Sequence, residues 1–268
     1  MPRPPLTRRR CLALGAAAAV LSILPPAPGR PHAVPVVAAA ADLQFALQEV
    51  ADLFQHETGR AVRLSFGSSG NIRRQIAQGA PFEMFLSADE DYALALAREG
   101  HALGEGTLYA VGRIVIVAPH GSPLAVDGEL RGLAAALAAG RVTRFAVANP
   151  EHAPYGRAAR EALTRAGLWR AIRDRLVLGE NVSQAAQFAL SGSAQGGIIA
   201  YSLALSPQLA GRATFALIPA DRHEPLRQRM VLLRGAGETA TGFYAFVQTP
   251  PAREILRRYG FALPGEGA

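Results

Sequence analysis

Four stretches of the sequence share one pattern: an apolar strand runs into small or capping residues, and a helical segment follows at once. The four stretches are VVAAAADLQFAL, LSFGSSGNIRRQI, FAVANPEHAPYGRAARE and LVLGENVSQAAQF. A helix that begins in this way points unpaired N–H groups and its positive dipole end outward, which favours anions. Ligands of open α/β sheets lie beyond the carboxyl ends of the strands. The four junctions together therefore predict a site that surrounds one small oxyanion.

Each junction also has a purely structural interpretation. Ser69 and Asn71 are typical helix N-caps, while Asn149-Pro150 and Asn181 are typical turn residues. Any single junction favours this interpretation, because capping is the commoner use of such residues. Only the convergence of all four indicates a binding site.

The sequence offers no obvious catalytic set. Asp89 and Glu90 are adjacent, so on a helix they do not face each other, and capping is the expected role. Ser68 and Ser69 lack a nearby histidine and a Gly-x-Ser-x-Gly elbow, which argues against a serine hydrolase. All 28 basic residues are arginine, which excludes lysine chemistry. Four histidines are scattered without paired ligand spacing, which argues against a metal site: His101, His120, His152 and His223.

The elements that must position these residues alternate between short apolar runs and helical patterns, which predicts mixed sheets covered by helices. The predicted strands are Val34–Ala40, Ala61–Phe66, Met84–Ser87, Arg113–Ala118, Arg144–Ala148, Leu176–Leu178, Gly197–Ala200, Ala213–Ile218 and Met230–Leu233. The predicted helices are Leu43–Thr58, Ile72–Gln78, Tyr92–Glu99, Tyr155–Ala166, Ser183–Ser191 and Ala252–Tyr259.

Residues 1–33 have the layout of a secretory signal, with three consecutive arginines, an apolar run too short for a membrane span and a Pro-rich exit. We expect cleavage after Ala33 and a periplasmic mature protein. The segment from Thr7 to Leu12 also resembles a twin-arginine signal, although Cys11 replaces the usual aromatic residue. The sequence is thus compatible with either the general secretory route or the twin-arginine route.

Removal of residues 1–33 changes the net charge and the cysteine content of the mature protein, and with them the partners and chemistry to be expected. Five arginines leave with it and no acidic residue does, so the formal charge falls from +7 to +2. Nucleic acid is therefore not an expected partner. The only cysteine, Cys11, leaves as well, which excludes disulfides and thiolate chemistry in the mature chain.

The order of the four junctions along the chain matches that of a known protein family. Together with GRIVIVAP, LSGSAQGGIIAYSLAL and REILRRYGF, they resemble the periplasmic molybdate-binding proteins of ABC importers across nearly the whole mature chain. The resemblance implies a two-lobe periplasmic-binding-protein fold of type II, with mixed sheets, flanking helices and a ligand cleft between the lobes. It implies a discontinuous first lobe, 34–112 with 227–268, and a second lobe, 113–226.

The resemblance also implies the residues that bind the oxyanion. The second family serine falls on Ser69, and two backbone N–H donors fall on Tyr155 and Val182. No residue ligates molybdenum directly, since the protein contacts the oxygens of molybdate. No cofactor is implied.

Two positions depart from the family pattern. The first family serine corresponds to Ala41, so only the backbone N–H is retained there, and Asp42 follows, most simply as a helix N-cap. The family tyrosine aligns with Ala200, and Tyr201 lies one residue later. Tyr201 substitutes for it only if the strand has ended by Ala200, because a one-residue shift turns a strand side chain to the opposite face. Otherwise Tyr201 is a packing aromatic.

The function implied is a monomeric, non-enzymatic receptor that captures molybdate, and also tungstate, and delivers it to a membrane permease. Asp42 keeps two alternatives open. A carboxylate repels a dianion but can accept a proton from a protonated oxyanion such as hydrogen phosphate. The first alternative is therefore a receptor for another oxyanion, phosphate or sulfate, which would share the fold. An enzyme on the same bilobal fold would need a titrating group in the cleft, and Asp42 is the only candidate.

Overall fold

A computed structural model describes residues 34–265, which contain ten strands and ten α-helices. The strands are β1 (Val36–Ala40), β2 (Arg63–Gly67), β3 (Met84–Ser87), β4 (Thr107–Gly112), β5 (Ile114–Pro119), β6 (Phe145–Ala148), β7 (Leu176–Gly179), β8 (Gly197–Ala200), β9 (Ala213–Leu217) and β10 (Leu226–Leu232). The α-helices are α1 (Gln44–Thr58), α2 (Ser69–Ala77), α3 (Glu90–Arg98), α4 (Arg131–Ala138), α5 (Pro154–Arg165), α6 (Trp169–Ile172), α7 (Val182–Leu190), α8 (Tyr201–Ala204), α9 (Glu238–Phe246) and α10 (Pro250–Arg258).

Two five-stranded mixed sheets organise these elements. The first sheet has the order β2-β1-β3-β10-β4, with β1 parallel to β2 and β3 and with β10 antiparallel to β3 and β4. The second has the order β7-β6-β8-β5-β9, with β6 parallel to β7 and β8 and with β5 antiparallel to β8 and β9. We call the part built on each sheet the first and the second lobe. The fold is therefore the predicted two-lobe α/β architecture.

Helices cover both faces of the first sheet, and the alternation of side chains along β1 explains how. Val37 and Ala39 belong to the cluster that includes α1, α9 and α10, whereas Ala38 packs with α2 and α3 on the opposite face. Both faces of a strand that is covered twice must be apolar, which accounts for its run of alanines. On the first of these faces, Phe54 meets Phe243 and Phe246 edge-on at 5.2 and 5.3 Å between ring centroids.

Every predicted strand and helix is present, with ends shifted by up to four residues. One strand and four helices were not predicted: β4, α4, α6, α8 and α9. β4 begins directly after Gly106 and ends at Gly112, so its apolar run is short and has a glycine at each end. α9 contains Thr241 and Gly242, which are weak helix formers, and it is stabilised by the packing of Phe243 and Phe246 on α1.

The signal-peptide prediction for residues 1–33 lies outside the described residues. Between residues 34 and 265, no helix has the length and apolarity needed to cross a membrane. The lobe boundaries at 112/113 and 226/227 stay a prediction. They agree with the distribution of strands, since β4 ends at Gly112, β5 begins at Ile114 and β10 begins at Leu226.

Candidate functional site

A small cavity of about 10 Å³ lies between the lobes, where β1, β2 and the helices after them meet α5 and α7. Its wall contains the starts of three α-helices and of a 3₁₀ turn that spans Ala41–Leu43. Within the part of the wall that the structure describes, Asp42 is the only carboxylate and there is no cationic side chain. The lining residues are Ala40, Ala41, Asp42, Gly67, Ser68, Ser69, Ala88, Ala153, Pro154, Tyr155, Asn181 and Val182.

Backbone N–H groups of both lobes reach this cavity. Ser69 and Val182 are the first residues of α2 and α7, and Tyr155 follows Pro154 at the start of α5. At these positions a helix has no acceptor of its own. Among the hydrogen bonds of residues 34–265, none takes its proton from these three groups. The wall therefore offers preorganised donors and the positive ends of helix dipoles.

Two serine hydroxyls add to these donors. Ser69 Oγ accepts a hydrogen bond from the Ala88 N–H at 3.0 Å, so its own proton stays available for a ligand. Ser68 Oγ lies 2.9 Å from His152 Nδ1 of the second lobe. The direction of that hydrogen bond depends on the tautomer of His152, whose Nε2 lies 3.5 Å from Glu180 Oε2. Of the two serines, Ser69 is therefore the one whose hydroxyl proton is available to a ligand in the cavity.

The side chain of Asp42 joins the two lobes. Its Oδ2 accepts hydrogen bonds from the Tyr155 hydroxyl at 2.9 Å and from Gln228 Nε2 at 2.7 Å. Tyr109 donates to Gln228 Oε1 at 2.7 Å, which orients the Gln228 amide so that its nitrogen faces the carboxylate. Asp42 Oδ1 is buried and has no hydrogen-bond partner in residues 34–265. One oxygen of the carboxylate is therefore held, and the other is free.

Burial shifts the proton equilibria of this network. Removal from water raises the pKa of Asp42 to about 6, although the hydrogen bonds from Gln228 and Tyr155 act in the opposite direction. Burial, assisted by the negative charge of Asp42, raises the pKa values of Tyr155 and Tyr109 well above 10.0. Both tyrosines therefore remain neutral donors, and Asp42 is the group that changes charge near neutral pH.

Two glycines allow the lobes to approach this closely. A Cβ at Gly112 would lie 2.2 Å from the Tyr155 hydroxyl oxygen, and one at Gly70 would lie 2.7 Å from the His152 carbonyl oxygen. The Gly70 N–H donates to that same carbonyl at 3.0 Å. These contacts exist only while the lobes are together, so the structure is the closed form of the cleft.

Further contacts between the lobes surround the cavity. Ser183 Oγ donates to the Ala41 carbonyl at 2.9 Å, and Ser202 Oγ donates to the Asp42 carbonyl at 2.7 Å. Arg157 pairs with Asp89 at the rim. The 3₁₀ turn after β1 is therefore held by side chains of the second lobe.

Five of the seven predicted ligand residues meet at the cavity: Ala41, Asp42, Ser69, Tyr155 and Val182. Ala200 and Tyr201 are not among the lining residues. β8 does end at Ala200, but the Tyr201 ring packs beside Phe215 with 6.0 Å between centroids, as a packing aromatic would. Ligand contact by these seven residues stays a prediction.

The capping predictions had mixed outcomes. Asp89 accepts from the Asp91 N–H at 2.9 Å and caps α3 as expected. Asn181, which the sequence suggested as a turn residue, accepts from the Gln184 N–H at 3.0 Å and is the N-cap of α7. Capping by Asp42 is wrong, because its carboxylate turns to Tyr155 and Gln228 instead. Ser69 and Asn71 are not N-caps either, since α2 begins at Ser69 and its N-cap position is Ser68.

Sequence reasoning missed Gln228, Tyr109 and the contribution of Ser68. The signal for Gln228 was the alternation in LRQRM, which puts Gln228 on the same face of β10 as the buried residues Leu226 and Met230. A buried polar side chain requires partners, and its partners here are Asp42 and Tyr109. Nothing local in the sequence indicates which residues these would be.

Within residues 34–265, no cluster of three or more His, Cys, Asp or Glu side chains is placed to hold a metal ion. The cavity instead matches an anion that carries its own oxygens, because its donors are N–H and O–H groups. The described lining residues include no cation to balance the charge of such an anion.

Comparison with known proteins places this chain among relatives of the same architecture. It is 36% identical over 229 residues to the molybdate-binding protein ModA of Rhodobacter capsulatus, covering 84% of this chain and 87% of that protein. It is 35% identical over 231 residues to the molybdate-binding protein ModA of Azotobacter vinelandii, covering 85% and 89%. The solved structure of the periplasmic molybdate-binding protein of Azotobacter vinelandii superimposes with a TM-score of 0.76 at 31% identity, covering 86% of this chain and 99% of that one.

A family model also matches residues 35–262, which is nearly all of the described chain. The family is that of bacterial extracellular solute-binding proteins, and its model spans both lobes and the cavity between them. With this match and these relatives, the chain belongs to the bacterial extracellular solute-binding protein family.

Proposed function

We propose that this protein captures molybdate, and tungstate with it, outside the cytoplasm and delivers the anion to the membrane permease of an ABC importer. The observation that carries the proposal is the interlobe cavity with backbone N–H donors from Ser69, Tyr155 and Val182 and a hydroxyl from Ser69. Neutral donors of this kind bind a dehydrated oxyanion without a counter-charge. The names of the relatives supply the choice of molybdate.

Capture follows from the position of the cavity. A ligand there contacts helix starts of both lobes only when the lobes are closed, so binding shifts the open–closed equilibrium toward the closed form. The permease then distinguishes loaded from empty receptor by the closed arrangement. Small rigid cavities select by size, and molybdate and tungstate are nearly equal in radius, whereas sulfate and phosphate are smaller.

Calorimetric titration of the purified protein with molybdate, tungstate, sulfate and phosphate tests the proposal. We expect one site per chain for molybdate and tungstate, with much weaker heat for sulfate and phosphate. Heat with phosphate and none with molybdate would overturn it in favour of a receptor for a protonated oxyanion. That second candidate is favoured by one observation, the unpartnered Oδ1 of Asp42 beside the donors.

We propose further that the protein acts without catalysis, as a monomer in the periplasm. The solute-binding family to which the chain belongs supports the first part of this proposal. Size-exclusion chromatography with light scattering, with and without molybdate, measures the oligomeric state. We expect a monomer under both conditions.

A further inference from the structure

The structure offers one feature that a receptor for a fully ionised dianion does not need: a buried carboxylate in the wall of its cavity. Asp42 lines the cavity, is 1% exposed and has an unpartnered Oδ1. No cationic side chain of the described wall offsets its charge. A dianion beside an ionised Asp42 would meet a like charge at short range in a buried site, where such repulsion is strong.

We infer that Asp42 is a proton-coupled specificity residue: molybdate binds when Asp42 takes up one proton from solvent, and the protonated carboxyl then donates a hydrogen bond to an oxygen of the anion. This inference rests on the proposed function and names the chemistry by which the same site accepts its ligand. The balance is one dianion, one proton and one Asp42 carboxylate giving a complex with a neutral Asp42 carboxyl. No other reactant is required.

The hydrogen bonds of the network favour this arrangement. Oδ2 already accepts hydrogen bonds from Tyr155 and Gln228, whereas Oδ1 has no partner. A proton bound to Oδ1 can therefore be donated in a hydrogen bond to the anion. The orientation of Gln228 is set by Tyr109, so its amide cannot turn its oxygen toward Asp42 without losing that bond. Burial also raises the pKa of Asp42 to about 6, which makes proton uptake easy near neutral pH.

The neighbours of Asp42 leave few other sources of pH dependence. The side chains that face it are Tyr155 from α5, Tyr109 from β4 and Gln228 from β10, and Ser202 from α8 binds its backbone carbonyl. The tyrosines stay neutral, because burial raises their pKa values well above 10.0. Other titratable groups near the cavity are His152, which reaches it through Ser68 and contacts Glu180, and Asp89, which pairs with Arg157 at the rim.

The chemistry also distinguishes ligands by their protons. Molybdate, tungstate and sulfate carry no proton near neutral pH, so each requires the proton on Asp42. Hydrogen phosphate carries its own proton and can donate it to an ionised Asp42. Binding of the first group therefore weakens as the pH rises, whereas binding of hydrogen phosphate takes up no proton.

The test is the dissociation constant of molybdate measured from about pH 6.5 to about pH 8.5, with titrations in buffers of different ionisation enthalpy. In the wild-type protein we expect the affinity to fall about tenfold per pH unit above the pKa of free Asp42, with about one proton taken up per anion. In Asp42→Asn, a neutral side chain of the same shape, we expect affinity that does not change with pH and no proton uptake.

Three variants separate this inference from its rivals. Tyr155→Phe keeps the carboxylate and the backbone N–H but removes a hydrogen bond that lowers the pKa of Asp42, so the fall in affinity should begin at higher pH with the same slope. His152→Asn should leave the slope unchanged, and so should Asp89→Asn, a carboxylate control at the rim. Because Tyr155→Phe and His152→Asn retain Asp42, the test stands even if Asp42→Asn does not fold.

A wild-type affinity that does not change with pH, or a slope that persists in Asp42→Asn and disappears in His152→Asn, would overturn the inference while leaving the proposed function intact. Binding of phosphate alone, or of no anion at any pH, would overturn both.

Discussion

The two lobes of this protein are built alike but contribute differently to the cavity. Both sheets place a strand between two parallel neighbours and add antiparallel strands on one side, and each lobe directs two element starts into the cleft. The second lobe offers backbone N–H groups at Tyr155 and Val182. The first lobe offers side chains as well, the hydroxyls of Ser68 and Ser69 and the carboxylate of Asp42.

This difference separates two tasks. Backbone donors at helix starts are fixed by the fold, so we propose that the second lobe attracts any small anion. The first lobe adds side chains to the cavity wall, so we propose that discrimination between anions arises there. Tyr155 illustrates the division, because its N–H faces the cavity while its hydroxyl turns away to hold Asp42 of the first lobe.

The largest expected effect comes from preventing the lobes from meeting. In Gly70→Ala the new Cβ would lie 2.7 Å from the His152 carbonyl oxygen of the opposite lobe. The closed form is then disfavoured, and we expect molybdate affinity to fall roughly 100-fold without loss of thermal stability. Calorimetry and a melting curve measure both quantities. Gly242→Ala in α9 is the matched control, because the nearest atoms to its new Cβ are side-chain atoms of Phe54 and Arg60, 3.9 Å away. An equal loss of affinity in that variant would contradict this explanation.

Removing the hydroxyl contributed by the first lobe comes next. Ser69→Ala loses one hydrogen bond to a charged ligand, which we expect to weaken molybdate binding by roughly 1.5–3 kcal/mol. Ser193→Ala is the control, since Ser193 binds Ser191 on the surface. An unchanged dissociation constant in Ser69→Ala would mean that the ligand lies elsewhere.

The contribution of the second lobe to anion binding can be tested by removing one backbone N–H group, that of Val182. Val182 is the first residue of α7, where proline is tolerated, and the extended backbone of Asn181 suits a following proline. Val182→Pro deletes the N–H, and we expect a loss of about 1.5 kcal/mol in anion binding. Val182→Ala keeps the N–H and should bind as the wild type does. Equal losses in both variants would assign the effect to packing instead.

The last prediction concerns stability rather than binding, so it leaves the affinity comparison of the two lobes untouched. Burial raises the pKa of Asp42 from 3.8 to about 6, so between these values the folded protein holds more protons than the unfolded chain. Stability from this group is therefore greatest at low pH and is lost as the pH rises through about 6. We expect Asp42→Asn to gain about 1–3 kcal/mol relative to the wild type at about pH 7.5 and much less at about pH 4.5. Melting curves without ligand at the two pH values measure this gain, and an equal gain at both would contradict it.

Much of the fold was predictable from local sequence, and the site was predictable only in part. Strands such as β5, with its apolar run, and caps such as Asn181 depend on nearby residues. The role of Asp42 depends on Tyr155 and Gln228, which lie 113 and 186 residues away in the chain. Its position after β1 suggested a cap, and tertiary partners overrode that local preference. β4 was missed for the same kind of reason, because its pairing with β10 comes from far along the chain.

The place of β10 in the first sheet also has a consequence for how the chain folds. β10 lies between β3 and β4, yet its residues follow all five strands of the second sheet in the chain. The second sheet is encoded by one continuous segment, so it can assemble from its own residues alone. The first sheet remains split, with β4 separated from its neighbours, until Leu226–Leu232 arrives. Contacts of such long sequence separation form late and slowly. The half of the protein that carries Ser69 and Asp42 should therefore be the last to become ordered during refolding.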